Sequence, residues 1–448
     1  MLKNKFLFLY LLVLISNSLP AQKSALQGHW EGAISRLGSV QTLRFDMYGA
    51  GDSLQVHYDD PARGVFSCYL EGDQQIGVND TVFDINFGYG KFHCLLNKKY
   101  GQITGSNKNW KPEVLFHIKK IGRAEESPYT SEDISFSNGG VKLAGSIYKP
   151  KGSGPDPMVI LIHGSDAQAR RTWYIRSLVQ VLTKNHIGVV VYDKRGTGQS
   201  TGNMNTASFA DLSNDVSACI RYISNRKDLH ISKLGMFATS AGGWIAPAIA
   251  NKWKIIDFVI LNMGPAVPTF KQDLDRVEYT MRANGFDKKT VDSAMNHSML
   301  YFEVVKDNRG WEKLQTSVSL YKTRSWAKDN NLLQLPEKMN DEDMLWWRSH
   351  NFDPANDLSH MHCRVLSLMG ENDNLVPPAT NKALMEQYLS QAGCPHKIVI
   401  IPNAGHNGIA FQTLFGGEWN WPEHFWIWPQ RPALYYDEII SWIKGGAR

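Results

Sequence analysis

The stretch GMFATSAGGW, residues 235–244, decides the fold, because it joins an apolar strand-like run to a helix-like run through a turn of very small residues. Ala238, Gly242 and Gly243 surround Ser240, and a sharp strand-to-helix turn leaves no room there for larger side chains. Glycine is usual in the place of Ala238, but alanine is small enough to keep the turn. The turn predicts that Ser240 is a nucleophile. The alternative is a serine that caps the following helix.

A serine hydroxyl becomes a useful nucleophile only beside a base, and the base needs a carboxylate to orient it. Two later strand-like runs end in such groups: VLSLMGENDNLVPP carries Asp373, and KIVIIPNAGHNG carries His406. In folds where the serine lies on such a strand-to-helix turn, the acid and the histidine follow it along the chain in the order Ser, Asp, His. We therefore predict a catalytic triad of Ser240, His406 and Asp373.

Two positions of this triad have rivals in the sequence. Glu371 and Asp357 are rival acids, and His424 and His360 are rival bases. A lone turn aspartate usually caps backbone groups, and a lone loop histidine is usually just exposed. Three suitable groups at three successive strand ends favour the triad over any single rival.

An oxyanion hole needs backbone N–H groups next to the nucleophile. The run VILIHGSDAQ ends a strand at His163 and Gly164, so Ser165 supplies one predicted donor and Ala241, after the nucleophile, supplies the other. Gly164 permits a close backbone approach. We interpret His163 as a structural imidazole.

The segment YDKRGTGQSTGN, residues 192–203, follows the next strand-like run. Its glycines predict a well-defined loop. A structural turn pinned by Asp193 and Arg195 is favoured over a wall of the site.

The wider pattern around these motifs predicts an α/β fold. Nearly all-apolar strands alternate with helical stretches, which is typical of a mostly parallel sheet with helices on both faces. Residues 123–448 form the predicted catalytic domain, with a helical cap inserted at about 265–360. Short alternating runs predict a small all-β accessory domain at 22–122, and GRAEESPYTSED suits a linker.

The N-terminus predicts export. Lys3 and Lys5 precede the apolar run from Phe6 to Ile15, and Ala21 offers a small residue for cleavage. We therefore expect residues 1–21 to be a signal peptide and the mature protein to be periplasmic or extracellular, without a stable membrane span. The alternative is an uncleaved N-terminal anchor.

Charge and cysteine content narrow the partners. The formal charge of +5 is spread without a long basic run, which argues against a nucleic-acid partner. None of the five cysteines forms the close pair that zinc sites use, so no metal is predicted. Cys68 and Cys94 lie in strand-like segments, where either a disulfide or buried free thiols fit.

Residues 133–448 resemble the α/β-hydrolase superfamily through HGS, YDKRGTGQS, ATSAGGW, GENDNLVPP and NAGHNG, which occur in the family's order. The nearest likeness is to bacterial carboxylesterases and serine aminopeptidase-like hydrolases with an N-terminal β domain. The resemblance implies a Ser240–His406–Asp373 triad, Ser165 and Ala241 as oxyanion donors, and no cofactor.

The expected activity is a secreted serine esterase that acts on a small-molecule ester. A peptidase or amidase acting on a short peptide, and a non-catalytic binding protein, are the alternatives. If the protein is a peptidase, the acidic residues Asp273, Asp275 and Glu278 are candidates for binding the free amino terminus of its substrate. Near His406, aromatic side chains predict either a substrate surface or cap packing: Trp419, Trp421, Trp426 and Trp428.

Overall fold

The computed structural model describes residues 25–49, 55–69, 81–87, 90–152, 154–328, 331–410 and 430–445. Three features of the sequence analysis lie outside these residues: the predicted signal peptide at 1–21, the rival base His424, and the four tryptophans between 419 and 428.

The described residues before 123 form strands, and hydrogen bonds join them into one sheet in the order β4-β3-β2-β1-β8-β7-β6-β5. Their bounds are β1 Gly28–Arg36, β2 Ser39–Tyr48, β3 Gln55–Asp60, β4 Val65–Tyr69, β5 Val82–Phe87, β6 Gly90–Asn97, β7 Gln102–Asn107 and β8 Val114–Gly122. The pairs β5–β6, β6–β7 and β7–β8 are antiparallel. The predicted all-β character of this region is confirmed.

Alternation along these strands explains why they form a sheet with one apolar face. In β6 every second residue is buried, and most of β8 follows the same period of two. Phe45 packs edge-to-face on Phe87 and on Phe116, with ring centroids 5.4 and 5.6 Å apart. Trp30 is fully buried and donates its indole N–H to the Leu26 carbonyl at 2.7 Å.

The chain from residue 129 onward alternates strands and helices. The strands are β9 Tyr129–Asn138, β10 Val141–Pro150, β11 Pro157–Ile162, β12 Gly188–Tyr192, β13 Lys233–Thr239, β14 Ile256–Asn262, β15 Arg364–Gly370 and β16 His396–Ile401. The helices are α1 Trp173–Lys184, α2 Phe209–Ser224, α3 Gly242–Lys252, α4 Thr269–Ala283, α5 Lys288–Asp307, α6 Trp311–Tyr321, α7 Ser325–Lys328, α8 Glu342–Ser349, α9 Ala355–Leu358, α10 Pro378–Ala392 and α11 Ala433–Lys444.

These strands form a second sheet in the order β16-β15-β14-β13-β11-β12-β10-β9. The strands from β11 to β16 pair in parallel, while β10 is antiparallel to both β12 and β9. One face packs on α2, α3 and α10, and the other packs on α1 and α11. Burial on both faces explains why β12 is buried at all five positions. The predicted α/β class is confirmed.

The parallel pairing brings several loops to one edge of the second sheet. The segments after β11, β13, β15 and β16 all leave the carboxyl ends of neighbouring parallel strands. Ligands of such sheets bind at this edge.

Between β14 and β15 the chain is mostly helical, as the sequence predicts. Helices α4 to α8 pack around small apolar clusters of their own, one centred on Val277 and Val291 and another on Tyr301 and Met344.

The predicted linker at 122–133 is too long. Strand β9 begins at Tyr129 and pairs with β10 over its full length, from Asn138 opposite Val141 to Tyr129 opposite Pro150. The polar residues Ser131, Glu132 and Asp133 resemble a linker in sequence. They are strand residues because a whole partner strand satisfies their backbone groups.

The chain divides into two compact units. One draws on Met1–Gly32, Arg44–His57 and Leu70–Glu125, and the other on Ala33–Leu43, Tyr58–Tyr69 and Glu126–Arg448. Within the second unit, the Phe66 N–H donates to Ser177 Oγ on α1 at 3.0 Å, and the Tyr436 hydroxyl donates to the Gly64 carbonyl at 2.7 Å. The domain bounds at residues 122 and 123 stay a prediction.

Candidate active site

Ser240 sits in a strained turn between β13 and α3. Its φ is 51°, a left-handed conformation that is uncommon for a residue with a side chain. A Cβ at Gly242 would lie 2.9 Å from the His163 carbonyl oxygen, and one at Gly243 would lie 2.7 Å from the Gly264 Cα. The glycines are therefore required by close backbone approach. The residue at the N-terminus of α3 is Ala241, without a side-chain cap, so Ser240 does not act as the helix cap.

The Ser240 hydroxyl meets the imidazole of His406. Ser240 Oγ lies 2.9 Å from His406 Nε2, and His406 Nδ1 lies 2.8 Å from Asp373 Oδ2. A carboxylate only accepts hydrogen bonds, so Nδ1 carries the proton and Nε2 is left to accept the hydroxyl. The structure thus brings together all three residues of the predicted triad.

Asp373 is held in a fixed orientation. Its side chain is fully buried, and its second oxygen accepts the N–H groups of Leu375 and Val376, each at 2.9 Å. Two backbone donors leave Oδ2 free to face His406. A buried carboxylate with hydrogen bonds to both oxygens is well suited to orient an imidazole.

The environment of His406 makes it a stronger base. Burial alone would lower its pKa, but the charge and hydrogen bond of Asp373, helped by the charge of Asp166, outweigh burial and raise the pKa above the ordinary 6.5. An imidazole with a raised pKa accepts a proton from the serine more readily.

The structure does not bring the three rivals among the described residues, Glu371, Asp357 and His360, to Ser240. Glu371 accepts the Asn403 N–H at 2.8 Å, and His360 bonds the Asn356 carbonyl at 2.7 Å on the protein surface. Asp357 lies on the short helix α9, where its carbonyl accepts from Asn251. Each rival therefore has a local structural role.

The two predicted oxyanion donors both border Ser240. Ser165 and Ala241 line the cavity beside the hydroxyl. Within the described part of the chain, neither backbone N–H bonds another protein group, so both are available to a ligand. A Cβ at Gly164 would lie 3.4 Å from the Ser240 Cβ, which agrees with the close approach expected at this glycine.

His163 is structural, as interpreted from the sequence. It is buried, and its ring packs edge-to-face on Tyr192 at 4.9 Å. Burial, with a further contribution from the charge of Lys194, lowers the pKa of His163 to about 3, so the ring is neutral.

The loop after β12 is also structural, as predicted, and Asp193 and Arg195 both bind residues outside the turn. Arg195 forms a two-point ion pair with Asp215 on α2, both contacts at 2.7 Å. Asp193 accepts the Arg170 and Gln199 N–H groups at 2.8 and 2.9 Å. The sequence shows both charges of the turn, but not that each has a partner outside it.

Lys194, in the same loop, is a residue that the sequence reasoning missed. Its ammonium donates to three consecutive carbonyls, those of Gly164 at 2.8 Å, Ser165 at 2.9 Å and Asp166 at 3.3 Å. The Gly164 N–H donates to Gln168 Oε1 at 2.9 Å. No periodicity marks such a lysine, because its partners are backbone atoms about 30 residues earlier.

Part of the chain is similar to known hydrolases. Residues 153–330 match the family described as serine aminopeptidase, S33. The esterase EstD of Thermotoga maritima is 28% identical over 203 residues, which cover 44% of this chain and 47% of the esterase. In this matched region the chain resembles serine hydrolases of the α/β-hydrolase kind. This match spans about half of the esterase's length.

Two solved structures show a partial similarity to this chain. The proline iminopeptidase of Mycobacterium smegmatis has a TM-score of 0.45 at 13% identity, covering 70% of this chain and 98% of its own. Est1E of Butyrivibrio proteoclasticus, solved with ferulic acid bound, has a TM-score of 0.42 at 15% identity, covering 70% and 96%.

Two cavities meet at Ser240. The larger, about 390 Å³, is lined by His406, Asn407, Trp173, Tyr174 and Arg431 among others. The smaller, about 210 Å³, is lined by Ala241, Val376 and side chains of α4 and α8. Ser165, Ser240 and Leu375 border both cavities, so a ligand at Ser240 can extend in two directions.

The acidic residues of α4 are paired within their own helix. Asp273 accepts from Arg276 Nε at 2.7 Å, Asp275 pairs with Lys271, and Glu278 accepts from Arg282 at 2.7 Å. Spacings of three and four residues bring these charges together on the helix surface.

Other possible site features concern thiols, metals and membranes. All five cysteines are free and buried, so Cys68 and Cys94 are not bridged. Within the described ranges, no cluster of His, Cys, Asp or Glu could hold a metal ion. No helix among the described residues is long and apolar enough to cross a membrane.

Proposed function

We propose that this protein is an α/β-hydrolase and an exported serine esterase that cleaves carboxylic esters of small or medium acyl groups. The observation that carries the proposal is the hydrogen-bonded series from Ser240 Oγ to His406 at 2.9 Å and on to Asp373 at 2.8 Å. These are the distances at which a base can take the serine proton as the nucleophile attacks.

The first half of the reaction forms an acyl-enzyme. Ser240 Oγ attacks the ester carbonyl carbon while His406 Nε2 takes the hydroxyl proton. The carbonyl oxygen becomes an oxyanion, which the N–H groups of Ser165 and Ala241 stabilise. The C–O bond to the alcohol then breaks, and the alcohol leaves with the proton from His406.

The second half regenerates the enzyme. Water gives a proton to His406 as its oxygen attacks the acyl carbon, and the same two N–H groups stabilise the second oxyanion. The bond to Ser240 breaks, and the serine recovers its proton from His406. Asp373 keeps the imidazole in the required tautomer throughout.

The pairing of the acidic side chains favours an ester over an aminoacyl substrate. A peptidase that binds a free amino terminus needs a carboxylate that is not already paired with a basic side chain. Asp273, Asp275 and Glu278 each have a basic partner one turn away, so their charges are already balanced. A neutral acyl group avoids competing with these pairs.

The inserted helices are the proposed cap. Gln272, Asp273 and Arg276 of α4 and Trp346 and Trp347 of α8 line the smaller cavity, which supports a role in covering the substrate. Export is proposed from the charged and apolar pattern of residues 1–21.

The test is hydrolysis of 4-nitrophenyl acetate, butyrate and octanoate, beside alanine and proline 4-nitroanilides. We expect ester turnover that prefers the shorter chains and falls roughly a millionfold in Ser240→Ala. The matched control is Ser232→Ala, the same chemical change at an exposed serine just before β13. It is expected to behave as wild type.

Other outcomes identify the alternatives. Anilide turnover well above ester turnover would favour the peptidase. Ester turnover that survives in Ser240→Ala would overturn the assignment of the nucleophile. An absence of turnover with both the 4-nitrophenyl esters and the 4-nitroanilides would favour a binding protein.

A further inference from the structure

We propose that the smaller cavity beside Ser240 is the acyl subsite and that it takes an uncharged, planar aromatic acyl group. This inference rests on the proposed esterase function and names the substrate class of the same site. Three observations support this inference. The cavity lies on the side of Ser240 away from His406, aromatic rings line the cavity, and the charged side chains in the cavity are paired with each other.

The position of His406 decides which cavity takes which half of the ester. The leaving oxygen must receive its proton from His406 Nε2, so the alcohol lies on the imidazole side. His406 and Asn407 line the larger cavity. The smaller cavity is lined instead by Ala241, an oxyanion donor, and Val376. The alcohol therefore fits the larger cavity, and the acyl group extends into the smaller one.

Flat rings make the walls of the smaller cavity. Trp346 stacks on His350 with centroids 4.0 Å apart and crosses Trp347 at 86°. Phe209 packs edge-to-face on His350 at 4.6 Å and lies beside Trp244. Aromatic groups prefer such offset and edge-to-face neighbours, and a cavity of about 210 Å³ has little space for a long flexible chain.

The charges in the smaller cavity cancel. Asp273 and Arg276 bond each other at 2.7 Å, and Arg276 also donates to the carbonyls of Asn331 and Leu332. Burial lowers the pKa of His350, and the nearby Lys194 lowers it further, so that ring is neutral. An acyl group with its own charge would have no unpaired partner here.

The experiment compares 4-nitrophenyl benzoate with 4-nitrophenyl cyclohexanecarboxylate, which share carbon number and leaving group and differ in planarity. Each kcat/KM is divided by the rate of alkaline hydrolysis of the same ester. We expect the benzoate to be favoured roughly three- to tenfold by the full-length protein. Trp346→Leu is expected to bring the ratio close to one.

Leu345→Ala is the matched control, because Leu345 is the neighbouring residue of α8 and is 50% exposed. It should keep the wild-type ratio. A ratio at or below one in wild type, with turnover that Ser240→Ala abolishes, would overturn the aromatic subsite and leave the esterase standing. Loss of all Ser240-dependent turnover would instead overturn the esterase.

A second inference rests on a different observation, the three carbonyls around Lys194. We propose that Lys194 is a positioning residue that fixes the oxyanion-hole peptide between Gly164 and Ser165. Its ammonium lies 2.8 Å from the Gly164 carbonyl oxygen, and this carbonyl belongs to the same peptide unit as the Ser165 N–H.

The planarity of the peptide bond turns this contact into an orientation. In a trans peptide the C=O and the N–H point in opposite directions. A cation that holds the Gly164 oxygen therefore keeps the Ser165 N–H pointing away from itself, and Ser165 lines the same cavities as Ser240. A positive charge on the oxygen side also polarises the peptide and strengthens its N–H as a donor. Without Lys194 the Gly164 carbonyl loses this partner, and the bond from the Gly164 N–H to Gln168 does not fix the orientation of the next peptide.

The surroundings of Lys194 give this role a pH dependence. The side chain is buried, and burial lowers its pKa to about 8, while Asp166 limits the shift. The other titratable groups that feel its charge are His163 and His350, both buried. The ammonium is lost as the pH rises through about 8, so the proposed clamp weakens on the alkaline side.

The experiment measures kcat, KM and the pH profile for wild type, Lys194→Met and Lys194→Arg. Lys194→Met is expected to lower kcat by roughly 10- to 100-fold with KM within threefold, because oxyanion binding is stronger in the transition state. Lys252→Met, at an exposed lysine on α3, is the control. Lys194→Arg keeps a cation that does not deprotonate, so the alkaline decline should move upward by more than one pH unit.

A purely structural lysine would not move the alkaline limb. A Lys194→Met enzyme that is folded and has kcat within twofold of wild type would overturn the clamp. If this variant fails to fold, the arginine variant decides, and an unchanged alkaline limb would overturn the proposal. An absence of ester turnover in the wild-type protein would contradict the proposed esterase function rather than the proposed role of Lys194.

Discussion

Charged side chains find different kinds of partner in the loops at the sheet edge and in the inserted helices. At the edge, the buried carboxylate of Asp373 is aimed at His406, and the buried ammonium of Lys194 is aimed at a backbone loop. On α4, Asp273 and Glu278 are satisfied by basic residues within one turn. Polar groups of the loops therefore reach toward the site, while those of α4 mainly balance one another.

This difference separates chemistry from selectivity. Parallel strands bring distant parts of the chain to one edge, so residues 240, 373 and 406 meet there. A helix supports its own charges locally and presents rings such as Trp346 to the cavity. We expect changes in the loops to affect kcat strongly and changes in the inserted helices to affect substrate preference modestly.

After the loss expected for Ser240→Ala, the largest expected effect comes from Asp373→Asn. An amide that donates a hydrogen bond to Nδ1 would favour the wrong tautomer of His406, and kcat should fall by roughly 10⁴. The measurement is ester turnover under saturating substrate. Asp357→Asn, the same change at the rival acid on α9, should keep kcat within about twofold. Equal losses in both variants would contradict the assigned acid.

A smaller loss of kcat/KM is expected when the pH is lowered. His406 must be neutral to accept the serine proton, and its pKa is raised above 6.5 because Asp373 outweighs the opposing effect of burial. Below that pKa the imidazole is protonated, so kcat/KM should fall about tenfold per pH unit. A profile from pH 4.5 to 9 with an acid midpoint above 6.5 is the expected result. A midpoint well below 6.5 would show that Asp373 does not act on His406 in this way.

The smallest effect is expected from removing a charge pair on α4. The double variant Asp273→Asn with Arg276→Gln removes both charges together and leaves no buried ion unpaired. Ester kcat/KM should change by less than about threefold. The same assay with alanine 4-nitroanilide supplies the contrast, since an amine-binding Asp273 would make that activity fall by roughly 100-fold or more.

Stability offers a further contrast between the two regions. The Asp215–Arg195 pair is buried, whereas Glu278 and Arg282 are largely exposed. Breaking the first with Asp215→Ala should lower the free energy of unfolding by about 3 kcal/mol, since the buried guanidinium of Arg195 then keeps only its longer ion pair with Asp211, at 3.5 Å. Glu278→Ala should cost less than about 1 kcal/mol. Chemical denaturation of the two variants measures the difference, and equal costs would contradict the contrast.

Much of the fold was readable because its signals are local. Apolar strands alternating with amphipathic helices indicated the α/β sheet, and small residues around Ser240 indicated a sharp turn. The start of β9 was misjudged for the same reason: Ser131 to Asp133 are polar, and their strand conformation depends on the whole length of β10.

For the candidate site, residue types and their order along the chain were enough to nominate Ser240, Asp373 and His406. Sequence order carries this information because parallel strands must end at a common edge. It does not carry Lys194, whose partners are backbone carbonyls at 164–166, nor the partner of Arg195, since Asp193 is nearer in sequence than Asp215.

By itself, the sequence determined the alternation of strands and helices, the strained small-residue turn at Ser240, and which three side chains could meet. Only the tertiary structure decided the distances between them, the pairing of acids on α4, and the peptide that Lys194 holds. The physical reason is that periodicity and turn chemistry act between near neighbours. Burial, charge pairing and backbone contacts act between residues that only the folded chain brings together.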